Sequence, residues 1–218
     1  MTTNPNLLAH LEWLGFVQPV GLVVSAQALD ATGVILNRND KDGQARLERC
    51  SEERRVGSET VRALTSFEAF ARDVLGWSFH ANGFVGTAVA PVPDDLAISL
   101  PDEGGTLAPR YAVRNLAPTD GAPPYQLLVL EFPTNLDLDR PWAATGRYDA
   151  SPSSRLERLL RETGVGAGVA CNGTTIRLMA APTGESSGWI DFRVDYMVTT
   201  AGRDIAAAAR MLLNQQRL

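Results

Sequence analysis

Lysine is almost missing from this chain. Of 20 basic residues one, Lys41, is lysine and the other 19 are arginine. Any mechanism that needs a lysine has Lys41 alone to use, whereas planar cationic forks suited to carboxylates and phosphates are plentiful. Histidine is scarce too, with only His10 and His80, and no His-x-x-x-His or Cys-x-x-Cys occurs. Those gaps exclude the common zinc motifs. Two cysteines, Cys50 and Cys171, stand 121 positions apart and make no disulfide framework, as in a cytoplasmic protein with free thiols. There is no run of 18 apolar residues to cross a membrane, and the start, MTTNPNLLAHLEW, lacks the basic and apolar regions of a signal peptide. Excess positive charge is absent as well. The net charge is -5, so the chain as a whole does not attract nucleic acid, and a basic face would have to be local.

What is present is an ordinary globular composition, 44% hydrophobic and 21% charged, in 218 residues, enough for one large domain or two small ones. Residues 7–36 read as a short helix, a strand near Gly21–Ser25 and a second helix from about Ser25. Residues 37–62 are dense in charge, read as an exposed helix plus loop, and mark the best internal boundary: an N-terminal segment with a charged linker, 1–62, before an α/β domain, 63–218. Ser66 caps a helix whose apolar face is Phe67, Phe70, Ala71, Val74 and Leu75, and Gly76 stops it. From 79 to 110 the chain is rich in Pro and Gly. Tyr111–Leu116 reads as a strand and APTDGAPP as a turn. The unbroken apolar run YQLLVLEF, 125–132, reads as a central buried strand. SPSSRLERLLRETG is a Ser-capped helix with Leu156, Leu159 and Leu160 on its apolar face and Gly164 at its end. The next segments predict a hairpin with a type I′ turn at Asn172-Gly173, then an alternating strand WIDFRVDYM. AGRDIAAAARMLLNQQRL reads as a helix running to the last residue, which suggests a fragment of a longer protein. The fold class is therefore mixed α/β, a mixed sheet flanked by helices.

Three short motifs invite a catalytic reading. Gly184-Glu185-Ser186-Ser187-Gly188 spells a nucleophile elbow, but a strand follows it where a helix should, and both histidines lie upstream. A serine hydrolase using Ser186 is the least favoured function; a polar turn is the simpler one. Gly164 to Gly168 resembles a cofactor loop, but the order is helix, glycines, strand, the reverse of what aims helix amides at a ligand. Ala122-Pro123-Pro124-Tyr125 resembles the Asn-Pro-Pro-Tyr of amino-methyltransferases without the polar first residue that accepts from the target amine.

A longer pattern carries further. Pro109-Arg110 precedes one strand, Glu131-Phe132-Pro133 ends the next, and a helix and a hairpin follow. This order resembles the PD-(D/E)XK nucleases, in which carboxylates bind Mg²⁺ and a lysine activates water. Arg110 stands at the Asp position and Pro133 at the Lys position, so a restriction-endonuclease-like core would be a degenerate one. Glu131 and Glu68 remain as weak catalytic candidates, and an Mg²⁺-dependent nuclease with a rearranged site is the alternative function.

The segments LEWLGFVQPVGLVVSAQAL, FEAFARDVLGW, YQLLVLEFP, residues 151–192 and AGRDIAAAARMLL together resemble the N-terminal region of large bacterial restriction-modification or phage-defence DNA methylases. The resemblance implies that this chain alone is not an enzyme. It would be a nuclease-like domain that helps bind double-stranded DNA or other subunits of a defence system, in the cytoplasm. S-adenosylmethionine would serve an adenine-N6 methyltransferase downstream, with no cofactor or metal in this chain. Arg110, Arg114, Arg177 and Arg193 are the candidates for a DNA-binding face.

Overall fold

The structure, a computed structural model, describes residues 4–88, 90–100, 105–118, 121–142 and 150–215. Thr119 and Asp120 of the predicted turn and residues 216–218 of the predicted last helix lie outside them.

Three helices lead: α1 (Pro5–Val17), α2 (Ala26–Ala31) and α3 (Lys41–Arg49). A separate hairpin follows, β1 (Ser51–Val56) and β2 (Glu59–Leu64), then α4 (Phe67–Asp73) and β3 (Phe84–Val85). A small hairpin, β4 (Ile98–Leu100) with β5 (Gly105–Leu107), precedes β6 (Tyr111–Arg114) and β7 (Tyr125–Glu131). The chain closes with α5 (Pro152–Thr163), β8 (Ala167–Cys171), β9 (Thr175–Ala180), β10 (Gly188–Arg193), α6 (Val194–Met197) and α7 (Arg203–Leu213).

Six strands make one mixed sheet in the order β10-β9-β8-β7-β6-β3. Its one parallel pair is β7 with β8, in the register Leu128↔Gly168 to Glu131↔Cys171. A parallel pair needs a crossover, and α5 supplies it. Period-two alternation sends Leu127 and Val129 into one hydrophobic cluster and Leu128 and Leu130 into the other. The first cluster holds Phe67, Phe70, Trp77, Phe192 and the alanine face of α7; the second holds Leu156, Leu159 and Leu160 of α5. The result is a sheet covered on both faces, which explains the continuous apolar reading of β7.

Several expected elements form for the expected reasons. Ser66 Oγ accepts from Ala69 N–H, Ser151 Oγ accepts from Ser154 N–H, and Gly164 ends α5 in the left-handed conformation. A Cβ at Gly168 would lie 2.8 Å from Leu156 Cδ1 and 3.0 Å from Leu160 Cδ2, so that glycine lets α5 press on β8. Trp77 Nε1 donates to Leu213 O at 2.7 Å, tying the end of α7 to the chain that follows α4.

Other expectations are corrected. The strand near Gly21–Ser25 reduces to a single bridge, Val20↔Trp189, because Gly21 turns left-handed against Ser187 and Gly188. Residues 51–64 form a hairpin rather than a loop; Gly57, at positive φ, makes its turn and the charged residues point outward. The turn at Asn172-Gly173 is not type I′, which needs positive φ at both central residues. Asn172 N–H donates to Thr175 O, and of the central pair Gly173 and Thr174 only the glycine has positive φ. The alternating strand stops at Arg193, and Val194 and Met197 are then buried three apart on α6. Helix α7 ends at Leu213, where Asn214 turns extended. Trp13, Leu29, Leu36, Leu47 and Cys50 from the first 62 residues pack in the same cluster as Phe67 and Ile205.

Candidate functional site

Strand polarity decides which predicted residues can meet. The C-terminal ends of β7, β8 and β10 and the N-terminal ends of β6 and β9 share one end of the sheet. Arg110, Glu131, Cys171, Thr175 and Arg193 are therefore at that end. Arg114, Pro124 and the Ser186 turn are at the other. The hairpin β1–β2 joins the first end, since Leu64 N–H donates to Gly173 O at 2.8 Å and Arg54 Nη1 to Thr134 Oγ1 at 3.4 Å.

At this end the structure gathers Glu68, Arg110, Tyr111 and Glu131. Arg110 N–H donates to Val129 O at 2.7 Å, which seats it beside the last residues of β7. Its guanidinium lies 5.2 Å from the centroid of the Tyr111 ring. Tyr111 Oη donates weakly to Glu68 Oε2 at 3.4 Å, and Arg72 pairs with the other Glu68 oxygen. Desolvation raises the Glu131 carboxyl above its ordinary range; Arg110 draws it down and Glu68 pushes it up. The Tyr111 hydroxyl is raised as well, by desolvation first and then by the charge of Glu131.

A corner with two glutamates, one arginine and one tyrosine does not suit Mg²⁺. The divalent ion wants several oxygen ligands, and here a guanidinium stands between the two carboxylates electrostatically. Among the described residues no group of three or more His, Cys, Asp or Glu comes together to hold a metal ion. Pro133 offers no donor, as its sequence position implied. Cys171, paired in register with Glu131, is buried, and burial pushes its thiol up to about 12, so it is not a nucleophile near neutral pH.

The four predicted arginines separate. Arg110 and Arg193 are exposed at the same end of the sheet, Arg193 paired with Asp195. Arg114 is at the opposite end, its guanidinium 5.6 Å from the centroid of Tyr125. Arg177 is 4% exposed and is not part of any exposed basic face. Its fork donates to Asp191 Oδ1 and Oδ2, both at 2.7 Å, to both oxygens of Asp139, and to Ser153 Oγ. Trp189 covers it, with the ring centroid at 4.9 Å. Burial alone would lower its pKa, but the hydrogen bonds from both aspartates outweigh that and raise it. In return Arg177 holds the Asp139 carboxyl below the ordinary carboxylate range.

The short motifs resolve as turns and packing. Ser186 is exposed in the β9–β10 turn, and among the described residues no histidine hydrogen-bonds to it; His10 is instead buried against Val34 O and Trp13. The Gly164–Gly168 run is closed by leucines and leaves no cradle for a cofactor. Tyr125 is 4% exposed and cannot stack on an extruded base.

Sequence reading missed Arg62. It lines a groove of about 410 Å³ with Thr60, Asn135, Thr174, Arg193 and Asp195. Arg62 bonds to Ser51 Oγ and Glu48 O, and among the described residues it has no carboxylate partner. The signal was present in Gly57-Ser58 between two runs of six, but the density of charge read as a linker.

No protein-family model, curated protein or solved structure matches this chain. No helix among the described residues is long and apolar enough to cross a membrane.

Proposed function

We propose that the chain is a non-catalytic, nuclease-like accessory domain of a DNA restriction-modification or phage-defence system, acting in the cytoplasm. On this reading it grips double-stranded DNA with the β7–β8 end of its sheet. S-adenosylmethionine and adenine-N6 methyl transfer belong to a separate methyltransferase region. The observation that carries the reading is the grouping of Arg110, Arg193 and Arg62, with Arg54 of the same hairpin, around one end of an otherwise acidic molecule. Exposed arginine forks around a polar groove suit phosphate oxygens. The order α4-β3-β6-β7-α5-β8, with β7 and β8 parallel, agrees with the sequence resemblance to PD-(D/E)XK nucleases. The Mg²⁺-nuclease alternative has the donor set against it, because Arg110 occupies the position a metal-binding carboxylate requires.

Anisotropy with a short labelled duplex over a salt series tests the proposal. Each released phosphate contact lowers the slope of log K on log salt by about 0.9. Arg110→Glu with Arg193→Glu should weaken binding and flatten that slope by about 2, while Arg114→Glu, at the far end, leaves both unchanged. Equal binding by the wild type and the double variant at every salt concentration would redirect the reading to a protein partner.

A further inference from the structure

The single lysine has no place in the reading above, and its surroundings point to a second site. Lys41 opens α3, and with Arg38, Arg203 and Arg210 it lines a small cavity in which Asp40 is the one acidic residue. The carboxylates nearby do not neutralise these cations. Arg38 pairs with Glu12 and Asp204. Arg46 and Arg210 share Asp40, at 3.9 and 3.3 Å. Asp40 is also engaged in accepting from Gly43 N–H at 2.7 Å. Lys41 and Arg203 have no carboxylate within salt-bridge distance among the described residues; Arg203 donates only to Gln44 Oε1.

Two further details show that the cluster is built into the fold. Arg210 is 12% exposed, and it fits because residue 43 is glycine: a Cβ there would lie 1.7 Å from Arg210 Nη1. Arg38 Nε is buried with no hydrogen-bond acceptor. An orphaned buried donor is costly, and a fork that has lost one of its bonds to an absent acceptor is one way to have it. Excess buried cation and an unsatisfied donor at the same cavity call for the same thing, an anion made only of acceptors.

We propose that this cavity binds a phosphate group, free or as the end of a small phosphate monoester. Its enclosed volume is about 20 Å³, room for one water-sized group. One phosphoryl oxygen can enter there, and the others remain at the mouth, where Lys41 and Arg203 are exposed. A neighbouring cleft of about 280 Å³ borders the same Asp40 and Arg210 and can take what the phosphate is attached to. Lysine acts as the point charge and arginine as the planar fork, the usual division at phosphate sites. The site shares no residue with the proposed DNA-binding end, so either can stand without the other.

Calorimetric titration with inorganic phosphate, at ionic strength held constant with chloride, tests it. The wild type should bind saturably, and Lys41→Gln with Arg203→Gln should weaken binding at least about tenfold, since each change removes a charge-assisted bond. Neither residue holds a carboxylate, so the double variant should melt in chloride as the wild type does. Gly43→Ala, which displaces Arg210, should weaken binding as well. Adenosine monophosphate in a parallel titration identifies the source: tighter binding than phosphate assigns an ester, equal binding the free anion. No saturable heat with either compound, or an unchanged Kd in the double variant, overturns the proposal.

Discussion

Replacing Arg177 by methionine tests the reasoning most directly. The buried guanidinium joins Asp191 on the neighbouring strand, Asp139 in the chain after β7 and Ser153 at the start of α5. Removing one member of a buried ion pair costs about 3–5 kcal/mol when the other charge is stranded. Here the orphaned partners can reach water, because the Asp139 and Asp191 side chains are 57% and 34% exposed. That places the loss lower, at about 2–3 kcal/mol. For a chain of this length it lowers Tm by roughly 5–10 °C. Urea unfolding measures the loss, and adding Asp191→Asn should recover part of it by removing a stranded charge. The pH dependence has a definite sign. Arg177 holds the Asp139 carboxyl down in the folded state, so the stabilisation is present above the unfolded carboxylate value near ~4 and lost as pH falls through the lower folded value. The gap between wild type and variant therefore narrows in acid. A variant as stable as the wild type at pH 7, or a gap that widens below the carboxylate range, refutes the account.

Glu131 should titrate above ordinary glutamates by carbon-detected NMR; Arg110→Gln should raise it further and Glu68→Gln should lower it, because Arg110 pulls the carboxyl down and Glu68 pushes it up. Opposite movements would mean that the three groups are not neighbours. Gly168→Val forces side-chain atoms into Leu156, Leu160 and Leu128 O and should cost about 1–3 kcal/mol in urea unfolding, while the same change at Gly105, with open space around it, should cost under about 1 kcal/mol.

The central sheet was legible because its signals are local. An apolar run with no breaker, a Ser cap with a Gly stop, and alternation before Arg193 each follow from a few adjacent residues. Where reading failed, contacts from far along the chain decided the outcome. Residues 51–64 look like a linker until Gly173 O takes the Leu64 N–H, and Val194–Met197 continues an alternating pattern until burial demands a spacing of three. The site was half legible for the same reason. Arg110 and Glu131 could be paired through their strands, but no short-range pattern marks Arg177 as interior; that depends on Asp139, 38 positions earlier, and Asp191, 14 later.

The Val20–Trp189 bridge has a consequence for solubility. A sheet offers unpaired amides at its two outer strands, and such edges recruit other chains. On one side β3 is two residues long, too short a template. On the other, Val20 exchanges both backbone hydrogen bonds with Trp189, and the chain leaves the sheet plane into α6 after Arg193. The first turn of chain after α1 thus acts as a guard rail along β10. Cutting the protein within its charged stretch to isolate residues 63–218 would remove that rail and strip Trp13 and Leu29 from the core at the same time. Such a piece would self-associate through β10, so activity measurements on this protein need the N-terminal helices in place.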